Sequence, residues 1–263
     1  MKTNIYTYGD DERVSICRIY LEEHKIGTEA CIFILPIPST RDGEIITGTD
    51  KKLSELAAEL SVGDVVIGYG MPDSFINASE AQGAECIDAC CDEEYVQNGA
   101  AQTAVGTVAK LLCSGSLAPE ELRIGIMGFG RIGKKLSELF VFLGSAVTVF
   151  TSRSELKLEL GRLGINSVSD NELCLAREGL LPNPFESLDV LINTAPAEKL
   201  KESDAQWLSS VRVIELASGN NIPSNIPYER YVAVPARLFA KSAGLAYGKF
   251  AEREIRKILP KYK

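Results

Sequence analysis

The chain has 263 residues, room for two modest domains, and its 45% hydrophobic and 24% charged residues give a globular balance that argues against disorder. The net charge of -8, with no run of Lys or Arg, argues against a nucleic-acid partner. No apolar run reaches the roughly 18–20 residues of a membrane span, and Met1 to Tyr6 lack the apolar core of a signal peptide, so a cytoplasmic protein with no membrane partner is expected. Seven scattered cysteines form no Cys-x-x-Cys pair and read as reduced thiols, with no metal site implied. Cys90 and Cys91 read as small apolar residues at a strand end. The single histidine, His24, stands among Glu22, Glu23 and Lys25 and reads as part of a solvated helix face.

In chain order, two halves alternate strand-like with helix-like runs, which is the α/β signature. In the first half, residues 30–36 and 64–70 are apolar, β-branched runs ended by proline or glycine. Between them Leu53, Leu56, Ala57 and Leu60 repeat at helical spacing. The loop 36–49 follows a strand end, the side of an open α/β sheet on which ligands bind. A proline-free stretch, 93–112, reads as a helix linking the halves. The second half predicts strands near 122–127, 146–150, 189–193 and 211–216, weaker ones near 165–168 and 231–234, and a last helix over 239–259. The expected organisation is an α/β fold of two domains. One is a Rossmann-type doubly wound parallel sheet over 99–244, with its linker helix. The other is a smaller flavodoxin-like or Rossmann-like α/β domain over 1–98, with a terminal helix, 245–263, available to complete it and a cleft between the two.

The loop Gly128-Phe129-Gly130-Arg131-Ile132-Gly133 has the context that a dinucleotide site needs. Leu122, Ile124 and Ile126 alternate before it; Ile132, Leu136, Leu139, Phe140 and Leu143 follow at helical spacing; a second strand, 146–150, closes the βαβ unit. Gly128 permits the tight turn, Gly130 lets the backbone approach a pyrophosphate, Gly133 lets helix and strand pack closely, and the helix N-terminus faces the phosphates. NAD-preferring domains carry an acid at the second strand's end, roughly twenty residues past the motif. Here the chain reads Thr151-Ser152-Arg153-Ser154, with an arginine for a 2′-phosphate and hydroxyls beside it. NADP is therefore expected as cofactor, with NAD the second choice. Arg153 can equally be read as a solvated residue at a helix start. Asn193, Thr194, Ala195 and Ser218, at the tips of two later strands, are further cofactor-side candidates, with ordinary turn chemistry the alternative for each.

The strings Leu35-Pro36-Ile37-Pro38-Ser39-Thr40-Arg41-Asp42-Gly43, Thr103-Ala104-Val105-Gly106-Thr107, Ile192-Asn193-Thr194-Ala195-Pro196, Leu216-Ala217-Ser218 and Ala240-Lys241-Ser242-Ala243-Gly244 run in the same order as in a known family. Together with the glycine loop and Ser152-Arg153-Ser154, they give a sequence that resembles the A-subunit family of bacterial dipicolinate synthase, over nearly its whole length. That resemblance implies a fold similar to the D-2-hydroxyacid dehydrogenases and NADP-linked oxidation of dihydrodipicolinate to dipicolinate in sporulation. It also implies a flavoprotein-like partner subunit. The chain departs from the family pattern at Gln102, Val105, Gly219 and Ala240, as a diverged member does.

A D-2-hydroxyacid dehydrogenase mechanism, with its arginine and histidine, finds neither residue where it needs them. The expected substrate is a small anionic dicarboxylate, for which Arg41 and Lys241 supply cations from opposite domains. Ser39, Thr40, Thr103 and Ser242 complete the pocket, and Lys241, Ser242 and Arg41 are the residues expected at the chemistry. The alternatives are an ion pair of Arg41 with Asp42 or Glu44, and a surface lysine at 241. Two other functions stay open: a catalytically silent nucleotide-binding or regulatory subunit, and a reductase of another small cyclic imine or keto acid. A homo-oligomer is compatible with each.

Overall fold

Short β-branched runs with buried side chains on both faces make parallel strands in each half of the chain. The computed structural model describes residues 4–26, 31–217, 221–231 and 238–258. The chain divides into two compact units, Met1–Gly99 with Pro235–Lys263, and Ala100–Val234.

The first unit is built on a parallel sheet of β1 (Ile5–Thr7), β2 (Ile32–Ile34), β3 (Val65–Gly68) and β4 (Glu85–Asp88), paired in that order. Helices α1 (Glu12–Glu23), α2 (Leu53–Glu59) and α3 (Asp73–Ala81) connect the strands. Leu53, Leu56 and Phe75 pack with Phe33 and Val66 in one apolar cluster. The second cluster joins Val14, Cys17 and Leu21 of α1 to Ile32, Val65 and four residues from the far end of the chain, Tyr247, Phe250, Ala251 and Ile255. Those four belong to the last described helix, α8 (Ala240–Ile258).

Glycine explains how α8 docks. A Cβ at Gly244 would stand 2.7 Å from Cβ of Ile16 and 2.9 Å from the Arg13 carbonyl oxygen, and one at Gly248 would stand 2.7 Å from the Tyr20 ring. Only glycine lets the two helices approach so closely. Residues 244 and 248 advance along α1 from Arg13 to Tyr20, so the two helices run in the same direction and begin at the same edge of the sheet. Lys241, expected in the nucleotide-binding domain, therefore belongs to the same unit as Arg41, and the expectation of two cations from opposite domains is corrected.

The second unit is a six-stranded parallel sheet in the order β10-β9-β8-β5-β6-β7. Its strands are β5 (Arg123–Met127), β6 (Ala146–Thr151), β7 (Asn166–Ser169), β8 (Val190–Asn193), β9 (Arg212–Glu215) and β10 (Glu229–Arg230). The strand expected at 231–234 pairs instead at Glu229–Arg230, and 232–234 lie outside the described residues. Helix α4 (Glu93–Ser114) contributes its part from Ala100 onward to this unit; α5 (Arg131–Phe142), α6 (Lys157–Arg162) and α7 (Asp170–Arg177) follow the strands. Ala104, Val108, Leu111, Leu136 and Phe140 pack on Ile124, Ile126, Val147 and Val149, while Leu173, Phe185 and Leu208 join Phe150, Leu191 and Val213 in another cluster. The chain winds outward from β5 in both directions, which puts a topological switch point between β5 and β8.

Cys90 and Cys91 correct another expectation. They lie in a 3-10 turn after β4 and are exposed, because the Asp88 carboxylate caps the turn by accepting from the Cys90 N–H at 2.9 Å. No helix among the described residues is long and apolar enough to cross a membrane.

Candidate functional site

Strand register sets the carboxyl edge of the second sheet. Met127 pairs with Phe150 on one side and Asn193 on the other, Asn193 pairs with Glu215, and Thr151 pairs with Ser169. These tips form one row, with the glycine loop rising from its middle.

The three glycines have three distinct environments. Gly128 has φ +94°, the left-handed region, and its N–H donates to the Phe150 carbonyl at 2.8 Å. A Cβ on Gly133 would lie 2.2 Å from the Gly128 carbonyl oxygen, so glycine is what lets α5 start against the loop. Gly130 is different. Its φ of -82° suits any residue, and a Cβ there would meet nothing within 4 Å. The protein itself makes no demand for glycine at 130; open space at that Cβ is what a pyrophosphate close to the backbone would need. Gly130 is the N-cap of α5, and the helix has no side-chain cap and no acidic residue in its first turn, which begins Arg131, Ile132, Gly133. An uncapped helix start of this kind offers N–H groups and a positive dipole end to an anion. The residues present thus fit a dinucleotide.

Thr194 secures the loop from the neighbouring strand. Its N–H and hydroxyl donate to the Met127 carbonyl at 2.9 and 3.0 Å. Ala195 is buried against Gly128: a Cβ on that glycine would lie 3.2 Å from the Ala195 nitrogen. Asn193 does not face the edge as expected of a cofactor contact. It is 1% exposed, its Nδ2 donates to both oxygens of Glu215 at 3.1 Å, and its Oδ1 accepts from the Ala195 N–H. Buried amides seek such partners because an unmet polar group is costly. Glu215 itself is fully buried and also accepts from the Ala217 N–H at 2.8 Å. Burial pushes its carboxyl above the ordinary range, and the Asn193 and Ala217 donors offset only part of that. The signal for it in the sequence was a lone acid inside the apolar run Val213-Ile214-Glu215-Leu216. Ser218 lies outside the described residues.

Beyond the tips of β6 and β7 lies a pocket of about 270 Å³ lined by Thr151, Arg153, Ser154, Lys157, Ser167, Ser169, Asn171 and Glu172. Sequence reasoning found Thr151, Arg153 and Ser154; Ser152 is exposed beside them. It missed the others, because only the pairing of β6 with β7 brings them there. Arg153 donates to the Phe129 carbonyl and lies over the Phe129 ring, which ties it to the glycine loop. Its N–H donates to the Thr151 hydroxyl at 3.2 Å. No acid stands at the β6 tip. Glu172, across the pocket, accepts from Lys157 at 2.6 Å and from the Ser169 N–H and hydroxyl, each at 2.8 Å. Lys157 foremost, then Ser169, hold its carboxyl down at about 2.

In the first unit the expected substrate residues separate. Ser39 is fully buried: its Oγ accepts from the Tyr69 N–H at 2.8 Å, and its N–H donates to the Tyr69 carbonyl. It braces β2 against β3, which corrects its assignment to a substrate pocket. The Thr40 hydroxyl donates to Asp42 at 2.9 Å and accepts from the Gly43 N–H. Asp42 also accepts from the Ile45 and Glu44 N–H groups, Ile45 foremost, and these bonds hold its carboxyl at about 2. This turn presents Arg41, which is exposed and makes no ion pair with Asp42 or Glu44. Lys241 and Ser242 are exposed in the first turn of α8. That turn sits at the same sheet edge as the Arg41 loop, because Arg13, at the start of α1, donates to the Ile37 carbonyl at 2.6 Å. Thr103 is partly buried in α4 and falls in the other unit. His24 is exposed at the end of α1, stacked on Tyr20 with ring centroids 3.9 Å apart.

No protein-family model and no curated protein sequence matches the chain. Solved structures do. The dipicolinate synthase A-subunit from Bacillus halodurans superposes with a TM-score of 0.76 at 17% identity, covering 96% of this chain and 98% of that one. Its counterpart from Bacillus subtilis gives 0.72 at 16% identity, covering 99% and 98%. A transhydrogenase from Sinorhizobium meliloti gives 0.62 at 16% identity, covering 96% and 92%. At these identities the likeness establishes the fold alone, a Rossmann-type fold shared with the dipicolinate synthase A-subunit.

Proposed function

We propose that this chain is an NADP-linked oxidoreductase that acts on a small anionic dicarboxylate, with dihydrodipicolinate as substrate and dipicolinate as product. The observation that carries the reading is the pairing of Gly130, where the fold makes no demand for glycine, with Arg153 at a strand tip that lacks an acid. Gly128, Gly130 and Gly133 with the start of α5 would hold the pyrophosphate, and Arg153 with its neighbouring hydroxyls would hold the 2′-phosphate. The cofactor, when bound, supplies hydride acceptance at its nicotinamide ring. Arg41 and Lys241 are cations at one edge of the first unit and suit the carboxylates of such a substrate. Forming an aromatic ring favours the reaction intrinsically, so positioning by these groups asks less of a strong base.

The test supplies dihydrodipicolinate and NADP and follows NADPH by absorbance, with and without a flavoprotein-like partner subunit. Turnover that falls in Arg41→Met and Lys241→Met supports the reading. Tight NADPH binding without turnover in either mixture favours a silent nucleotide-binding role. One observation speaks for that second reading: His24, the chain's only imidazole, is stacked on Tyr20 and hydrogen-bonded to its carbonyl at 2.8 Å, leaving no imidazole base for the site. Turnover of a different cyclic imine or keto acid in a substrate screen would shift the reaction and keep the cofactor.

A further inference from the structure

The pocket beyond β6 and β7 holds two cations, and each is matched to a protein acceptor. Arg153 donates to the Phe129 carbonyl; Lys157 pairs with Glu172. The two partners of that ion pair are not equally free. Glu172 is the third residue of α7, and its carboxylate closes a capping box with Ser169, so its position is fixed by the helix start. Among the described residues the Lys157 ammonium has this one partner, and its side chain is 63% exposed on the first residue of α6. An exposed lysine exchanges partners at little cost, since such a pair contributes on the order of 1 kcal/mol or less. Ser154, Ser167 and Asn171 line the same wall, and their side chains form no hydrogen bond with the described residues.

We propose that this pocket receives a phosphomonoester dianion, and that Lys157 leaves Glu172 to become its second cation beside Arg153. Glu172 stays in place and acts as the opposing charge that sets selectivity. The inference rests on the NADP reading and names the residues that enforce it. A dianion with three acceptor oxygens matches the surroundings: one mobile ammonium, one guanidinium tied to the glycine loop, and hydroxyl and amide donors without described protein partners. Lys157 is a specificity-determining residue in this account, and Glu172 moderates how tightly the phosphate is held.

The experiment titrates NADPH, NADH and adenosine 2′,5′-bisphosphate into the full chain and into Lys157→Met and Glu172→Gln. Glutamine also serves at the third position of a capping box, so Glu172→Gln removes the charge and keeps the helix start. Lys157→Met should weaken NADPH and the bisphosphate by about fivefold to tenfold and leave NADH within about twofold. Glu172→Gln should tighten both phosphomonoesters by about threefold, by removing a like charge and releasing Lys157. NADPH affinity unchanged in Lys157→Met overturns the inference while the NADP reading stands. Weaker NADH in Glu172→Gln also overturns it, because Glu172 would then be accepting from a ribose hydroxyl. If neither dinucleotide binds the native chain, the NADP reading fails; Lys157-dependent binding of the bisphosphate would still support the pocket's assignment.

Discussion

Two alanine substitutions three residues apart in the glycine loop should separate packing from binding. In Gly133→Ala the new Cβ starts 2.2 Å from the Gly128 carbonyl oxygen and must retreat to at least 3.0 Å, a displacement of 0.8 Å. Both sides of that contact are backbone, so no flexible side chain can absorb it. Overpacking of this kind destabilises by about 1–3 kcal/mol, and rigid walls put this case near 3. For a domain of this size, that lowers the melting temperature by about 6–12 °C. Gly130→Ala meets nothing within 4 Å. The gain from a stiffer unfolded chain, about 0.4–1 kcal/mol, is offset by a poorer N-cap, so its melting temperature should stay within about 2 °C of the native value. Its NADPH affinity should nevertheless fall about tenfold or more, because the methyl group occupies the approach to the pyrophosphate. Thermal unfolding by circular dichroism and NADPH fluorescence titration read the two effects separately. Gly130→Ala that binds NADPH like the native chain would refute the reasoning, since glycine there would then serve neither the fold nor the ligand.

Arg177→Met should be the most damaging loss of a charge pair in the second unit. Asp204 is fully buried and accepts from Arg177 at 2.6 and 2.9 Å, so the loss leaves a buried carboxylate without its cation, costing about 3–5 kcal/mol in urea unfolding. Gly248→Ala should lower the stability of the first unit by about 1–3 kcal/mol, with NADPH affinity preserved, because its Cβ would press on the Tyr20 ring at 2.7 Å. Glu215 carries a pH signature. Burial raises its folded-state carboxyl above the unfolded value, so its contribution to stability is greatest at low pH and declines as pH climbs through the raised value. Glu215→Gln should therefore gain on the native chain in melting temperature as pH rises above the ordinary carboxylate range, and parallel curves would argue against a raised carboxyl.

The second unit was the more legible in the sequence, for physical reasons. Leu122, Ile124 and Ile126 alternate, the glycines follow in register, and α5 repeats its apolar residues at helical spacing, so three local signals agreed. In the first unit β1 has three residues and β4 has four, of intermediate burial, with Glu85 and Asp88 at its ends. Strands so short and polar give no periodic signal. The residues around the carboxyl edge of the second sheet were legible where they were contiguous, as at 151–154. Lys157 and Glu172 were not, because they are fifteen residues apart in the chain and meet only through the β6–β7 pairing. Ser39 and Asn193 misled for the opposite reason: a polar residue at a strand tip reads the same whether it faces a ligand or ties two strands together, and burial alone distinguishes the two.

The docking of α8 onto α1 has a consequence for the order of biosynthesis. The second unit is one uninterrupted segment, Ala100–Val234, whereas the first needs residues from both sides of it. As the chain leaves the ribosome, the second unit has all its strands and can fold on its own schedule. The earlier-synthesised unit waits with Val14, Cys17 and Leu21 uncovered until Tyr247, Phe250, Ala251 and Ile255 arrive. A nascent chain stalled just after Val234 should hold its second unit folded and its first unit open to proteases and chaperones, so α8 acts as the closing stitch of the unit that was begun first.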